Sequence, residues 1–389
     1  MPGTFLRAAR RRKAAIVRFL SIGFAALSLA SCAATADLFS SAPAAAPHVF
    51  TVFVDSTRKG ERGAVSETAA DAPRFSLQMI SVPPNHQPGQ LERPGFGSED
   101  PASHIVLMNR RVVDEQAFLS ELATHISGRI GSNRDVLLYV HGFNTSYDEA
   151  RFRLAQIIDD GRFGGVPVLF TWPAAGNLLD YGAAKESATA SRDSLAKLIR
   201  ELANVPGVGR VHILAHSMGT WLTMEALREN AIAGSPDLNG KLGDVMLAAP
   251  DIDLGVFKAQ MARLDPSHVS VLVASNDRAL SLSRALAGDR PRVGALDPGK
   301  PADRAALDAL GVKVRDVSAE SNEWLGHGTY ASAPQIVREI GAEIGEPRVQ
   351  DANVQAVLGE RPVDTRIVSE PLAPVAASAP TPANAAQAQ

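Results

Sequence analysis

Cysteine is almost missing from this 389-residue chain: Cys32 stands alone. No intramolecular disulfide is therefore possible, and no cysteine-based metal site can be built. An excess of basic charge is missing too. The formal net charge is -3, and the cations Arg7, Arg10, Arg11, Arg12, Lys13 and Arg18 all fall within the first 31 residues, which hold no acid, so a chain starting at residue 32 carries -9. Such a surface offers no footprint for nucleic acid. No internal repeat is visible, and with 45% hydrophobic residues the length suits one large core better than two ordinary ones.

What is present starts with the leader. A basic stretch is followed by the apolar residues 19–27 and then by Leu29-Ala30-Ser31-Cys32, the order of an n-region, an h-region and a small-residue cleavage site. The tetrapeptide resembles the lipobox of bacterial lipoproteins. That resemblance implies that residues 1–31 are a signal peptide and that Cys32 is acylated and becomes the new N-terminus. It also implies a cell-envelope protein held on a membrane through its N-terminal lipid, at the outer membrane or periplasmic face. An uncleaved anchor and an ordinary cleaved signal are the other readings of the same residues. Residues 32–47, rich in Ala, Ser and Pro, read as the lipidated cysteine and a short tether, and residues 346–389 as a low-complexity tail expected to be disordered.

Between them, residues 48–345 alternate strand-like runs with helical periodicity, the pattern that builds a mostly parallel sheet covered on both faces. Residues 48–54 and 75–82 read as two leading strands parted by a polar segment. Asp114 is placed to cap a helix carrying Phe118, Leu122 and Ile126 on one face. Strands are expected at 135–140, 166–172, 211–215, 244–249, 269–274 and 312–317, giving about eight in all. Helices are expected around Phe152, Ala155 and Ile158, and around Leu195, Leu198, Ile199 and Leu202. Runs of Val, Leu and Ile without alternation suit strands buried on both faces.

Chemistry concentrates after the fifth of these strands. Ala215-His216-Ser217-Met218-Gly219 ends a strand and opens a helix. It differs from the Gly-x-Ser-x-Gly nucleophile elbow only in an alanine at the first position. A serine hydroxyl needs a base, and a histidine held by a carboxylate is the usual one. The order in such enzymes is Ser, acid, His. Downstream of Ser217 only His268 and His327 remain. His268 precedes a strand, at the wrong end of the sheet, whereas His327 follows the last strand between two glycines. Asp277, after the second strand beyond the elbow, is the preferred acid, with Asp251 and Asp253 as alternatives. Asp253 also suits a helix cap near Leu254, and Asp251 a turn.

Together with these residues, residues 50–58, 80–89, His141-Gly142-Phe143-Asn144, Phe170-Thr171-Trp172-Pro173, Ala249-Pro250-Asp251-Ile252-Asp253 and Ser275-Asn276-Asp277 resemble the α/β-hydrolase superfamily. More narrowly, they resemble a poorly characterised bacterial esterase-like family of unknown function. Ser187-Ala188 matches part of that family's Glu-Ser-Ala stretch, but Tyr181-Gly182-Ala183-Ala184-Lys185 replaces the tyrosine-aspartate-arginine before it. The resemblance implies an oxyanion hole from the amides of Phe143 and Met218, with His141 as a structural partner of the loop. It implies a serine-dependent carboxylester hydrolase acting on small-molecule or lipid esters without metal or organic cofactor. Trp172, Tyr181 and Trp221 are candidates for a substrate pocket beside Phe143, with plain core the commoner role of such aromatics, and residues 174–185 are candidates for a small lid. A non-catalytic envelope-binding protein on the same fold, or an acyltransferase sharing the acyl-enzyme, are the alternatives.

Overall fold

The computed structural model describes residues 46–345 apart from 62–63, 96, 175–179 and 321–326, with the side chains of 61–67 also left aside. These residues lie within the unit Met1–Glu346. The expected leader, Cys32, most of the tether and the tail fall outside the described residues. Among the described residues, no helix is long and apolar enough to cross a membrane.

The framework is one nine-stranded sheet of order β3-β2-β1-β5-β4-β6-β7-β8-β9. It opens with an antiparallel meander of β1 (His48–Glu61), β2 (Ala64–Val82) and β3 (Val106–Val113). The remaining strands are β4 (Val136–Val140), β5 (Val166–Thr171), β6 (Val211–His216), β7 (Leu242–Ala248), β8 (Val269–Val273) and β9 (Lys313–Asp316). All of these pair in parallel, and β1 joins them by lying parallel to β5.

Two features depart from the sequence expectation. The first two strands run well past residue 54 and begin well before residue 75, as a long hairpin whose register shifts between Ser56 and Gly60. The ninth strand, β3, was not anticipated, because it sits on the sheet edge. Its stretch Asn109-Arg110-Arg111 interrupts the apolar run, and Met108 and Val112 point to solvent, so no buried-strand signature survives.

In β4, Val136, Leu138 and Val140 enter one apolar cluster and Leu137 and Tyr139 the other, as successive side chains point to opposite faces. The first face is covered by α1 (Glu115–Ile126), α3 (Tyr181–Asn204), α4 (Met218–Ile232) and α5 (Leu254–Met261), through residues such as Phe118, Leu198, Leu222 and Phe257. The second face is covered by α2 (Tyr147–Gly161) and α9 (Pro334–Gly345), through Phe152, Ile158, Ile336 and Ile340. Three further helices, α6 (Arg278–Leu286), α7 (Pro301–Asp308) and the short α8 (Thr329–Ser332), serve the connections after β8 and β9.

Local signals behave as the sequence suggests. Asp114 accepts from the Ala117 amide at 2.7 Å and starts α1, whose buried residues are Phe118, Leu122 and Ile126. Phe118 meets Phe53 edge-on at 5.4 Å, tying helix to sheet. Replacing Phe118 by Ala is expected to cost about 3–5 kcal/mol through lost burial and a residual cavity, whereas Asp114→Ala costs about 1 kcal/mol through the cap alone. Urea denaturation of the two variants checks this ranking; an equal loss would deny α1 its anchoring role.

Candidate active site

Strained backbone recurs at the carboxyl ends of the parallel strands. Asn144 after β4, Ser217 after β6 and Ala249 after β7 all have positive φ, at 53°, 54° and 46°, conformations that non-glycine residues adopt only when the surroundings impose them. At Ser217 the imposition is visible. Its amide donates to Ala248 O at 2.9 Å, and its own carbonyl accepts from the Thr220 hydroxyl at 2.6 Å. The β4–β6 register sets Val140 beside Ala215, so the loops following the two strands press together. A Cβ on Gly219 would stand 2.3 Å from His141 O, and one on Gly142 would stand 2.8 Å from Ser217 Cβ. Neither position admits a side chain.

The acid and the imidazole expected from the sequence are brought together. Asp277 is fully buried and begins α6 as its N-cap, one carboxylate oxygen accepting from the Leu280 amide at 2.9 Å. The other oxygen lies 2.7 Å from Nδ1 of His327. Asp253 is a helix cap, accepting from Val256 N at 3.1 Å at the start of α5. Asp251 is taken up by Tyr181 Oη at 2.7 Å, by the Ser283 hydroxyl at 2.5 Å and by Arg292 at 3.3 Å. His268 lies at the amino end of β8, its Nδ1 3.0 Å from Gly243 O.

His327 is tied to His216, the residue before Ser217. Nε2 of His216 donates to His327 O at 3.0 Å, and the two rings lie 4.6 Å apart. His216 also stacks on Tyr330 at 4.5 Å, and the Tyr330 hydroxyl bonds that of Tyr139 in β4 at 2.7 Å. The loop bearing His327 is thus clamped to the elbow and to the sheet. Among the described residues the Ser217 hydroxyl has no hydrogen-bond partner, and neither the Phe143 nor the Met218 amide donates to one.

Residues 114–344, more than half of the chain, match the family described as alpha/beta hydrolase of unknown function (DUF900). The chain belongs to this family. Similar solved structures include an acetyl xylan esterase in an iodinated complex, at 12% identity over 56% of this chain and 100% of that one, with a TM-score of 0.29. They also include a fungal esterase from Rhizomucor miehei, at 10% identity over 78% and 84% with a TM-score of 0.32. A third is a lipase-esterase related protein from Clostridium acetobutylicum ATCC 824, at 13% identity over 53% and 82% with a TM-score of 0.23. No curated protein matches the chain.

Beneath the elbow of this α/β hydrolase lies a polar support of which the sequence suggested only His141. His141 is wholly buried, with Nε2 3.0 Å from the Thr171 hydroxyl and 3.3 Å from Nη2 of Arg58, while its Nδ1 lies 2.9 Å from Gly142 O. Arg58, also fully buried, donates to Thr171 Oγ1 at 2.8 Å and to Thr145 O at 2.7 Å. Because the carbonyl and the following N–H of a trans peptide point in opposite directions, the His141–Gly142 bond turns the Phe143 amide away from His141. The only hint of Arg58 in the sequence is its place at the end of residues 50–58.

Trp172, considered for a substrate pocket, is enclosed in this support: its indole N–H donates to His141 O at 3.1 Å and its ring stacks on His141. Tyr181 is half-buried and meets Phe143 edge-on at 5.9 Å, and Trp221 lies under the ammonium of Lys185. Of the expected lid, 175–179 fall outside the described residues and Tyr181 to Lys185 form the first turn of α3.

Burial, and next the Arg58 cation, hold the His141 pKa well below its ordinary value. A histidine that charges only in the unfolded chain gives stability that is full above its unfolded pKa of about 6.5 and is lost as pH falls below it. Between pH 6.5 and 5, His141→Asn is expected to flatten the dependence of unfolding free energy on pH by up to ~1.4 kcal/mol per pH unit. Urea midpoints across that range measure it, and an unchanged slope would mean that His141 is charged in the folded protein.

Proposed function

We propose that the protein is a serine hydrolase of carboxylic esters, with Ser217 as nucleophile, His327 as general base and Asp277 as the acid that orients it. The observation that carries this reading is the 2.7 Å contact between Asp277 and Nδ1 of His327 beside the strained Ser217 elbow. With Nδ1–H given to the carboxylate, the lone pair of His327 sits on Nε2, the tautomer a base for Ser217 needs.

In the proposed cycle Nε2 takes the Ser217 proton as the oxygen attacks the ester carbonyl. The charge on the former carbonyl oxygen is met by the Phe143 and Met218 amides, aided by the positive end of α4. Collapse of the intermediate expels the alcohol, protonated by His327, and leaves an acyl-Ser217. Water, deprotonated by His327, then attacks the acyl group; the second intermediate releases the acid and returns the proton to Ser217. Asp277 stays ionised and stabilises the imidazolium. No step needs a metal or an organic cofactor.

Intact mass after fluorophosphonate treatment tests this directly. A single adduct is expected on the native protein and none on Ser217→Ala. Asp277→Asn and His327→Ala should slow labelling by about 10⁴-fold or more, as in other triads. Equal labelling of native and Ser217→Ala proteins would reject Ser217 as the nucleophile and favour a binding role for the fold.

The reading extends to location: Cys32 carries a lipid that keeps the enzyme on an envelope membrane, where lipid or acylated envelope esters are within reach. Labelled palmitate is expected to enter the native protein in cells and not Cys32→Ala. Label retained by the variant would refute the anchor.

A further inference from the structure

At the other end of the sheet lies a second cluster of chemistry-bearing side chains. β1 runs parallel to β5, and its first residue, His48, projects beyond the amino end of that strand, since Phe53 is the first residue to pair, with Val168. The end of α2, carrying Asp159 and Asp160, arrives at the same edge, as does the turn after β2 that bears His86. Ser217, at the carboxyl end of β6, is therefore on the opposite edge.

Here one donor atom each from His86, Asp159 and Asp160 falls within 4.8 Å of the other two. They border a cavity of about 460 Å³, also lined by His48, Arg162 and Arg338. His86 Nε2 lies 3.1 Å from Asp160 Oδ1, and His48 Nδ1 lies 2.5 Å from Asp159 Oδ1. The set is braced from behind. Nδ1 of His86 faces both carboxylate oxygens of Glu92 at 2.9 and 2.8 Å. The second oxygen of Asp160 accepts from Gly89 N at 2.7 Å and from the Gln156 amide, leaving Oδ1 free to face Nε2. Gly89 itself, at φ +85°, admits no side chain, since a Cβ would stand 2.3 Å from Ser332 O.

We propose that His86, Asp159 and Asp160, with His48 bracing Asp159 from the side, form a binding site for a divalent transition-metal ion of the zinc type. Tetrahedral zinc with ligand bonds of about 2.0–2.1 Å sets its donor atoms about 3.3 Å apart, close to the His86–Asp160 separation. An imidazole whose far nitrogen is held by a carboxylate is the usual bearing of a metal-bound histidine, and Glu92 supplies that carboxylate. Imidazole with carboxylate donors favours Zn²⁺ over Mg²⁺ or Ca²⁺. The site is remote from Ser217, so its metal serves the fold or an attachment at that edge and not ester cleavage.

The test is calorimetric titration of the full-length chain, freed of any histidine tag and treated with EDTA, with Zn²⁺ and in parallel with Mg²⁺ and Ca²⁺. One Zn²⁺ per chain with micromolar or tighter affinity is expected, with no saturable binding of the other two. Asp159→Asn and His86→Gln should each weaken Zn²⁺ at least tenfold, and His48→Ala should weaken it less. His48 is exposed and Asp159 only half-buried, so both variants remain informative if His86→Gln fails to fold. Absence of saturable Zn²⁺ binding, or binding unchanged in Asp159→Asn, overturns the proposal and leaves the cluster an ion-pair network.

Discussion

The close approach of two loops at the carboxyl edge is the constraint on which the rest of this site depends. Strands β4 and β6 are neighbours in register, so the chain leaving each must turn within the same small space. The solution places His141 O where only a glycine at 219 fits, and Ser217 Cβ where only a glycine at 142 fits. With both sides closed, Ser217 has no room to relax from its φ of 54°, and the strain is carried by packing. The same turn leaves the Met218 amide at the open first position of a helix, where no intrahelical acceptor exists. Gly142, through its bond to His141, sets the direction of the Phe143 amide.

The proposed acid and base obey a related economy of parts. A buried carboxylate is costly unless its oxygens are satisfied. Asp277 meets that demand by giving one oxygen to the first turn of α6 and the other to His327. Its geometry is thereby fixed by a helix end and not by a flexible loop. His327 is fixed from three directions: Asp277 on its ring, His216 on its carbonyl and, through Tyr330, the hydroxyl of Tyr139 in β4. His216 cannot readily charge while it does this, because burial and the adjacent His327 ring hold its pKa well below the ordinary value. The ring next to Ser217 is in consequence a neutral prop.

Most of this was legible in the sequence where the signal was local or the strand was central. β4 to β8 are runs of buried Val, Leu and Ile, and each was expected close to its observed bounds. Chain order left Asp251, Asp253 and Asp277 as candidates beside His327, and the place of Asp277 after the second strand beyond the elbow favoured it. What escaped depended on edges and on distant partners. The β3 run is broken by Asn109, Arg110 and Arg111, because an edge strand has no second neighbour to bury it. Arg58 is marked in the sequence only as the end of the stretch 50–58, and the register of β1 against β5 brings it to Thr171. Trp172 was legible both as a pocket candidate and as plain core, and it is buried, its indole N–H donating to His141 O in the loop above.

The two edges of the sheet divide the chemistry, and the proposed anchor bears on that division. β1 begins at His48, so a tether through residues 33–47 joins the domain at the amino edge, beside the His86 cluster and away from Ser217. Attachment at the far edge does not by itself forbid access to a bilayer. Fifteen extended residues reach about 50 Å, whereas strands of five or six residues span only ~17–20 Å. If Cys32 is anchored as proposed, a reach more than twice the depth of the sheet would let the carboxyl edge turn toward the membrane. On the proposed reading, the point of attachment therefore does not decide whether substrate comes from that membrane or from solution.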